Sequence, residues 1–157
     1  MRTARRAALG LVALVAAAPL AACGGLFAGT RPAELGPRDG RLAPVPEDRS
    51  NAVSSFATSA VHRIEPFDAA PDPRAAFARL REVVASSERA TIVAQRPDYL
   101  YAEFRTRWMG FVDDVEFLLD EPAKRIHVRS ASRLGRRDFG VNRERVQALR
   151  TRYAAAR

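Results

Sequence analysis

The 157-residue chain contains one cysteine, one lysine, one tryptophan and two histidines. Each scarcity removes a class of chemistry. Cys23 is the lone cysteine, so nothing after it can form a disulfide, a thiolate metal site or a cysteine nucleophile. His62 and His127 sit in unrelated patterns and suggest no dyad. Ser54, Ser55, Ser130 and Ser132 lack a G-x-S-x-G setting or a matched base. No cofactor and no metal set is implied. Long apolar runs are scarce as well. The one present, Ala7 to Ala22, is shorter than the roughly 20 residues that cross a hydrocarbon core, and Gly10 and Pro19 interrupt it.

The flanks of that run give it a different meaning. Arg2, Arg5 and Arg6 make a positive start, the apolar stretch has the length of a signal h-region, and Leu20-Ala21-Ala22-Cys23 ends it with small residues before a cysteine. This predicts a lipoprotein signal peptide over 1–22, with Cys23 acylated (by palmitate, for example) as the first mature residue. The Arg5-Arg6 pair also fits a twin-arginine export signal, with little support around it. Gly24, in place of an acid, points to the periplasmic face of the outer membrane. The membrane, reached through Cys23, is the first expected partner, and an exported chain makes nucleic acid an improbable one.

Cleavage would leave 157 − 22 = 135 residues, enough for one domain with a core and not for two. Charge is unevenly spread along it. Residues 124–157 hold eleven Lys/Arg against Asp138 and Glu144 (+9), whereas 23–123 hold twelve Lys/Arg against sixteen Asp/Glu (−4). A basic C-terminal third suits an anionic lipid or a small anionic ligand. Arginine outnumbers lysine twenty-five to one, which also fits a coding bias.

From 23 to 50 the chain is rich in glycine and proline with no apolar period, the composition of a flexible linker. The domain is expected over 51–157. Ala60–Phe67 alternates as a first strand. Asp72-Pro73 has the form of an N-cap with proline at the first helical position, and Ala76, Phe77, Leu80, Val83, Val84 and Ser87 line one helix face. Four runs of period two follow: Ala90–Gln95, Tyr99–Trp108, Asp113–Asp120 and Lys124–Ser132. A last helix has Asn142 as its expected N-cap, Val141 stapled to Val146, and a stripe of Val146, Leu149 and Tyr153. The order β-α-β-β-β-β-α predicts an α+β fold, an antiparallel sheet with helices packed on one face.

Turn lengths predict registers. A two-residue turn at Pro122-Ala123 sets Glu116 opposite Arg129 and Phe117 opposite Val128. A four-residue loop over 109–112 sets Arg105 opposite Glu116 and Phe104 opposite Phe117. Phe104, Phe117, Leu119, Ile126 and Val128 then share the core face. The other face carries Tyr99, Tyr101, Glu103, Arg105, Arg107, Asp114, Glu116, His127, Arg129 and Arg133, with Arg105, Glu116 and Arg129 in a row.

The stretches Asn51-Ala52-Val53-Ser54-Ser55, Tyr99-Leu100-Tyr101-Ala102-Glu103, Asp113-Asp114-Val115-Glu116-Phe117, Arg129-Ser130-Ala131-Ser132-Arg133-Leu134-Gly135 and Asp138-Phe139-Gly140-Val141-Asn142-Arg143-Glu144-Arg145 resemble the DUF1499 family. The likeness covers about residues 50–153, and its last two motifs are the specific ones. It implies an architecture and a polar cluster, with no activity attached. The family commonly has cysteine where this chain has Ala52, so a thiol role at that position cannot apply.

Asp114 and Glu116 share the outer face beside arginines, and neighbouring cations lower carboxylate pKa values, which suits ion pairs better than general acids or a metal site. The segment 133–142 gathers Arg133, Arg136 and Arg137 before a helix N-terminus at Asn142, a setting for anions. These residues therefore predict a non-catalytic binding module for an anionic or amphiphilic ligand, held in the cell envelope, with Arg105, Glu116, Arg129, Arg133, Arg136, Arg137 and Asn142 as its site. Two rivals are a scaffold that docks a protein partner on the polar face, and a hydrolase built on Asp114 and Glu116. The anchor is testable at once. Cys23→Ala is expected to leave the precursor without acyl label and to move it out of the membrane fraction or block its processing; persistence of both label and membrane association would refute the signal assignment.

Overall fold

A computed structural model describes residues 27–156. The predicted signal peptide and Cys23 lie outside the described residues. The elements are β1 (Ala52–Ser54), β2 (Phe67–Asp68), α1 (Pro73–Ala85), β3 (Ala90–Gln95), β4 (Tyr99–Arg105), β5 (Val112–Asp120), β6 (Arg125–Ser132) and α2 (Val141–Ala155). The fold is α+β, as expected. Six antiparallel strands form one sheet in the order β1-β6-β5-β4-β3, with β2 also paired to β6.

Local chemistry explains α1. The Asp72 carboxylate accepts from the Arg74 and Ala75 amides at 3.0 and 3.1 Å, and Pro73 opens the helix where no amide is needed. Ala76, Phe77, Leu80, Val83 and Val84 are its buried face. They pack with Phe104, Phe117, Leu119, Ile126 and Val128 from the sheet and with Val146, Leu149 and Tyr153 from α2. The expected core face and both helix stripes are observed.

Three expectations are corrected. Residues 60–66 are not a strand: they turn back so that the His62 carbonyl accepts from the Ser54 amide, and the buried His62 ring donates from Nδ1 to the Ala52 carbonyl at 2.9 Å. The first strand is the shorter β1, over 52–54, and Phe67 opens β2. The N-cap of α2 is Gly140, at φ 90, not Asn142. Asp138 supplies the side-chain acceptor from outside the helix, taking the Gly140 and Asn142 amides at 3.0 and 2.9 Å. Val141 is half-exposed and makes no staple. Asn142 is fully buried instead: its amide donates to Asn51 O, Ser132 Oγ and Asp138 Oδ2, and its Oδ1 accepts from Ser130 Oγ and Arg145.

The third correction concerns register. β5 and β6 pair as expected, with Glu116 opposite Arg129 and Phe117 opposite Val128. Between β4 and β5 the pairing is offset by four: Tyr101 faces Glu116, Glu103 faces Asp114 and Arg105 faces Val112. Thr106 causes the difference. Its amide donates to Phe111 O at 2.9 Å and its hydroxyl accepts from the Phe111 amide at 3.0 Å, closing a six-residue loop over 106–111 in which Gly110 takes φ 68. An even offset keeps every side chain on its face, so the core survives it.

The glycine- and proline-rich segment has no helix and no multi-residue strand over 27–50, in keeping with its composition. Those residues are nevertheless laid against the polar face of the sheet, with Leu42 and Val45 buried there. The buried role of Asn142 and the capping role of Asp72 predict different costs. Asp72→Ala should lose about 1 kcal/mol in denaturant unfolding, and Asn142→Ala at least twice as much, because it leaves several buried partners unpaired. Equal losses would place Asn142 in an ordinary cap.

Candidate functional site

The polar face begins as period two. Alternate residues of β4, β5 and β6 put Tyr99, Tyr101 and Glu103 beside Asp114 and Glu116 and beside Arg129, and Arg133 follows at the end of β6. Such residues would ordinarily face water. Here Glu103, Asp114, Glu116 and Arg129 are all buried, Glu116 completely.

Two ion clusters make that burial tolerable. In the first, Arg133 Nη2 lies 2.5 Å from Glu103 Oε1 and 2.7 Å from Asp114 Oδ1, and its Nε donates to Asp114 Oδ2 at 3.0 Å. The Tyr101 hydroxyl donates to Asp114 at 2.6 Å, and Arg31 closes the cluster from the covering segment at 2.6 Å from Glu103. In the second, Glu116 accepts from Arg129 Nη1 at 3.2 Å, from the Tyr99 hydroxyl at 2.8 Å and from the Gly36 amide at 2.7 Å. Both clusters thus hold segment 27–50 on the sheet.

The charges set the titration. Burial alone would raise the Glu103 carboxyl, but hydrogen bonds from Arg133 and Arg31 outweigh it and hold the group at about 2. Burial, then the Asp114 hydrogen bond, pushes the Tyr101 hydroxyl up, and burial with the Glu116 charge does the same to Tyr99. Both tyrosines stay protonated donors. Arg133 is raised chiefly by its hydrogen bond to Asp114.

The predicted site residues are not brought together. Arg133 is inside the first cluster, with its side chain 5% exposed. Arg136 is exposed and pairs with Asp48 at 3.0 Å. Arg137 is exposed at a shallow depression beside Val61 and Phe139. Asn142 is buried among protein partners, and Arg105 misses Glu116 and lies 3.8 Å from Glu103 instead. Only Glu116 and Arg129 meet as expected. Asp114 and Glu116 have their oxygens engaged by arginine and tyrosine, an arrangement for ion pairing.

What those residues leave open is a cleft of about 640 Å³ between the covering segment and the sheet. Arg38, Arg41 and Glu34 from the segment, Arg129 and His62 from the domain, and apolar Leu42, Val45 and Phe56 line it. Arg129 is 8% exposed, and its Nε is buried without a hydrogen-bond partner among the described residues. The Arg41 guanidinium lies 4.4 Å from the centre of the Phe56 ring. Sequence reasoning missed Arg38 and Arg41 because they sit in a stretch without period.

It also missed Ser55 and His127, whose Oγ and Nδ1 are 3.1 Å apart. The histidine Nε2 is 3.8 Å from Asp120, too long for a hydrogen bond. Ser55 Oγ accepts from the Val128 amide at 3.0 Å, and Phe56 stacks on the imidazole at 4.1 Å. Burial lowers the His127 pKa. The contact joins the end of β1 to β6, where Ser55 replaces a ladder partner.

Arg133 yields a test with a sign. The depressed Glu103 carboxyl contributes stability that is present above its unfolded pKa of about 4.5 and is lost as pH falls toward about 2. Arg133→Met should cost about 3–5 kcal/mol near neutral pH by leaving two facing carboxylates short of a cation. Without the Arg133 hydrogen bond the Glu103 carboxyl would titrate higher, so the deficit should shrink as pH drops below about 5. Adding Glu103→Gln and Asp114→Asn should recover part of the loss at neutral pH. A deficit independent of pH, with no recovery, would mean that Arg133 acts through packing alone.

No curated protein and no solved structure matches the chain. The family described as "Protein of unknown function (DUF1499)" matches it over residues 41–152, a span that takes in both ion clusters except Arg31 and Gly36, together with the buried Asn142 and most of the cleft wall. The chain belongs to the DUF1499 family.

Proposed function

We propose that this is a lipid-anchored protein of the cell envelope whose cleft binds an anionic amphiphile. The signal pattern ending at Cys23 supports the anchor. The cleft supports the ligand class. Its cations are Arg38, Arg41 and Arg129, its floor is Leu42, Val45 and Phe56, and its volume of about 640 Å³ lies within the range of small-molecule sites. A carboxylate or phosphate head would meet the guanidinium groups while a chain lay on the apolar floor.

One observation carries the reading. Arg129 Nε is the donor that the polar layer leaves unpaired, and a buried guanidinium N–H without an acceptor is costly. Arg129 lines the cleft, so an anionic oxygen there would satisfy that N–H once the guanidinium turns to present it. Glu116 already neutralises part of the Arg129 charge, so the exposed Arg38 and Arg41 would supply most of the attraction.

Titration of the purified full chain with dodecanoate, and separately with inorganic phosphate, tests the reading. Dodecanoate is expected to bind and phosphate to bind more weakly, because only the first uses the apolar floor. Arg38→Gln with Arg41→Gln should weaken dodecanoate binding about tenfold, equivalent to about 1.4 kcal/mol. The unfolding midpoint should stay where it is, since both side chains are exposed. Absence of binding by the parent, or equal binding by the double variant, would sink the proposal.

A further inference from the structure

The large apolar side chains that remain exposed are not scattered. Among the described residues, six of the eight exposed large hydrophobics, Phe27, Trp108, Met109, Leu134, Phe139 and Val141, lie at one end of the sheet. Topology puts them there. β4 ends at Arg105 and β5 starts at Val112, so the 106–111 loop leaves from that end. β6 ends at Ser132, so the 133–140 loop and the start of α2 leave from it too.

The N-terminal segment reaches the same place. The Phe27 ring packs on Phe111 of the 106–111 loop, with centroids 5.3 Å apart. Two residues on, a Cβ at Gly29 would lie 3.1 Å from Leu134 Cγ, so the chain passes directly over the second loop. Cys23 precedes Phe27 by four residues, a span of at most about 14 Å. An acyl group at Cys23 would therefore enter a bilayer beside these loops.

Trp108 is 87% exposed and Phe139 93% exposed. The Arg107 guanidinium lies 5.1 Å from the centre of the Trp108 ring, Arg105 is exposed at the end of β4, and Arg137 is exposed on the 133–140 loop. Exposed tryptophan and phenylalanine among arginines match the headgroup level of an anionic bilayer, where an amphipathic ring and a cation both gain. A patch with this composition, placed where the anchored chain begins, has one partner that fits all of it.

We infer that this end of the domain, led by Trp108, Met109 and Phe139, is a membrane-facing surface that sits in the headgroup layer of an anionic bilayer. The cleft and the polar face then stand over the membrane instead of tumbling on a tether. The inference takes its direction from the lipid anchor, but the surface makes a claim of its own.

Trp108 is the chain's single tryptophan, so its fluorescence reports the surface directly. The full chain, purified from membranes, would be reconstituted into phosphatidylcholine vesicles with and without phosphatidylglycerol. Trp108 emission is expected to shift to shorter wavelength and to be quenched by brominated acyl chains when phosphatidylglycerol is present. Arg105→Gln with Arg107→Gln should reverse most of that shift. The Cys23→Ser chain should still partition to anionic vesicles weakly, and the two arginine substitutions should reduce this by about fivefold each.

Mass spectrometry of the same material separates the two readings. Missing acyl mass with a Trp108 shift in anionic vesicles refutes the anchor and keeps the surface. Acyl mass with vesicle-held protein whose Trp108 emission stays as in buffer refutes the surface and keeps the anchor. A Trp108 shift that follows protein concentration without vesicles would assign the patch to a second copy, and the inference would fall.

Discussion

The first of the two ion clusters on the polar side of this sheet depends on one buried guanidinium. Arg133 ties together the end of β6, Glu103 of β4 and Asp114 of β5, and Glu103 in turn receives Arg31 from the N-terminal segment. Burying such charges is expensive, and their attraction repays the cost only when the remaining donors and acceptors are also met. The tyrosines matter for that reason. Tyr99 and Tyr101 stay protonated donors: Tyr99 takes the Glu116 Oε1 that Arg129 does not reach, and Tyr101 adds a second donor at the Asp114 Oδ1 that Arg133 also holds.

The sheet consequently has two differently built sides. On the helix side, Phe67, Phe77, Leu80, Leu100, Phe117 and Ile126 form an apolar core that needs no partner other than shape. On the other side, a layer of ion pairs is roofed by residues 27–50, which supply Arg31, the Gly36 amide and buried Leu42. The roof has no repeating structure of its own. It is held at discrete points, and the space between those points is the cleft.

How much of this was legible follows from which interactions are local. The Asp72-Pro73 cap, both helix stripes and the β5–β6 register could be read because each is written within a few residues, the last in the two-residue turn between Glu121 and Lys124. The β4–β5 register could not, because the Thr106 hydroxyl lengthened the turn. The strand expected over 60–66 failed because His62 is drawn back to Ala52 rather than alternating. Asn142 looked like a cap by position, and only the fold shows Asn51, Ser130 and Ser132 converging on it. The covering segment was opaque for a related reason. Glycine and proline erase periodicity, and its contacts are set by side chains about 70 to 90 residues away in sequence.

The same distance explains why charge counting could not tell paired arginines from free ones. The basic C-terminal third and the acidic stretch before it are partly spent on each other: Arg129 pairs with Glu116, Arg133 with Glu103 and Asp114, Arg136 with Asp48, and Arg145 with Asp113. The motifs that carry the family likeness, Arg129–Gly135 and Asp138–Arg145, are spent on these pairs and on the buried Asn142. They specify an architecture. Charge available to another molecule is what pairing leaves over, and part of that remainder lies on Arg38 and Arg41 at the cleft and on Arg107 and Arg137 in the loops that carry the exposed aromatic rings. A net charge read along the chain measures how the fold is held, whereas the unpaired remainder, visible only after folding, measures what the protein can attract.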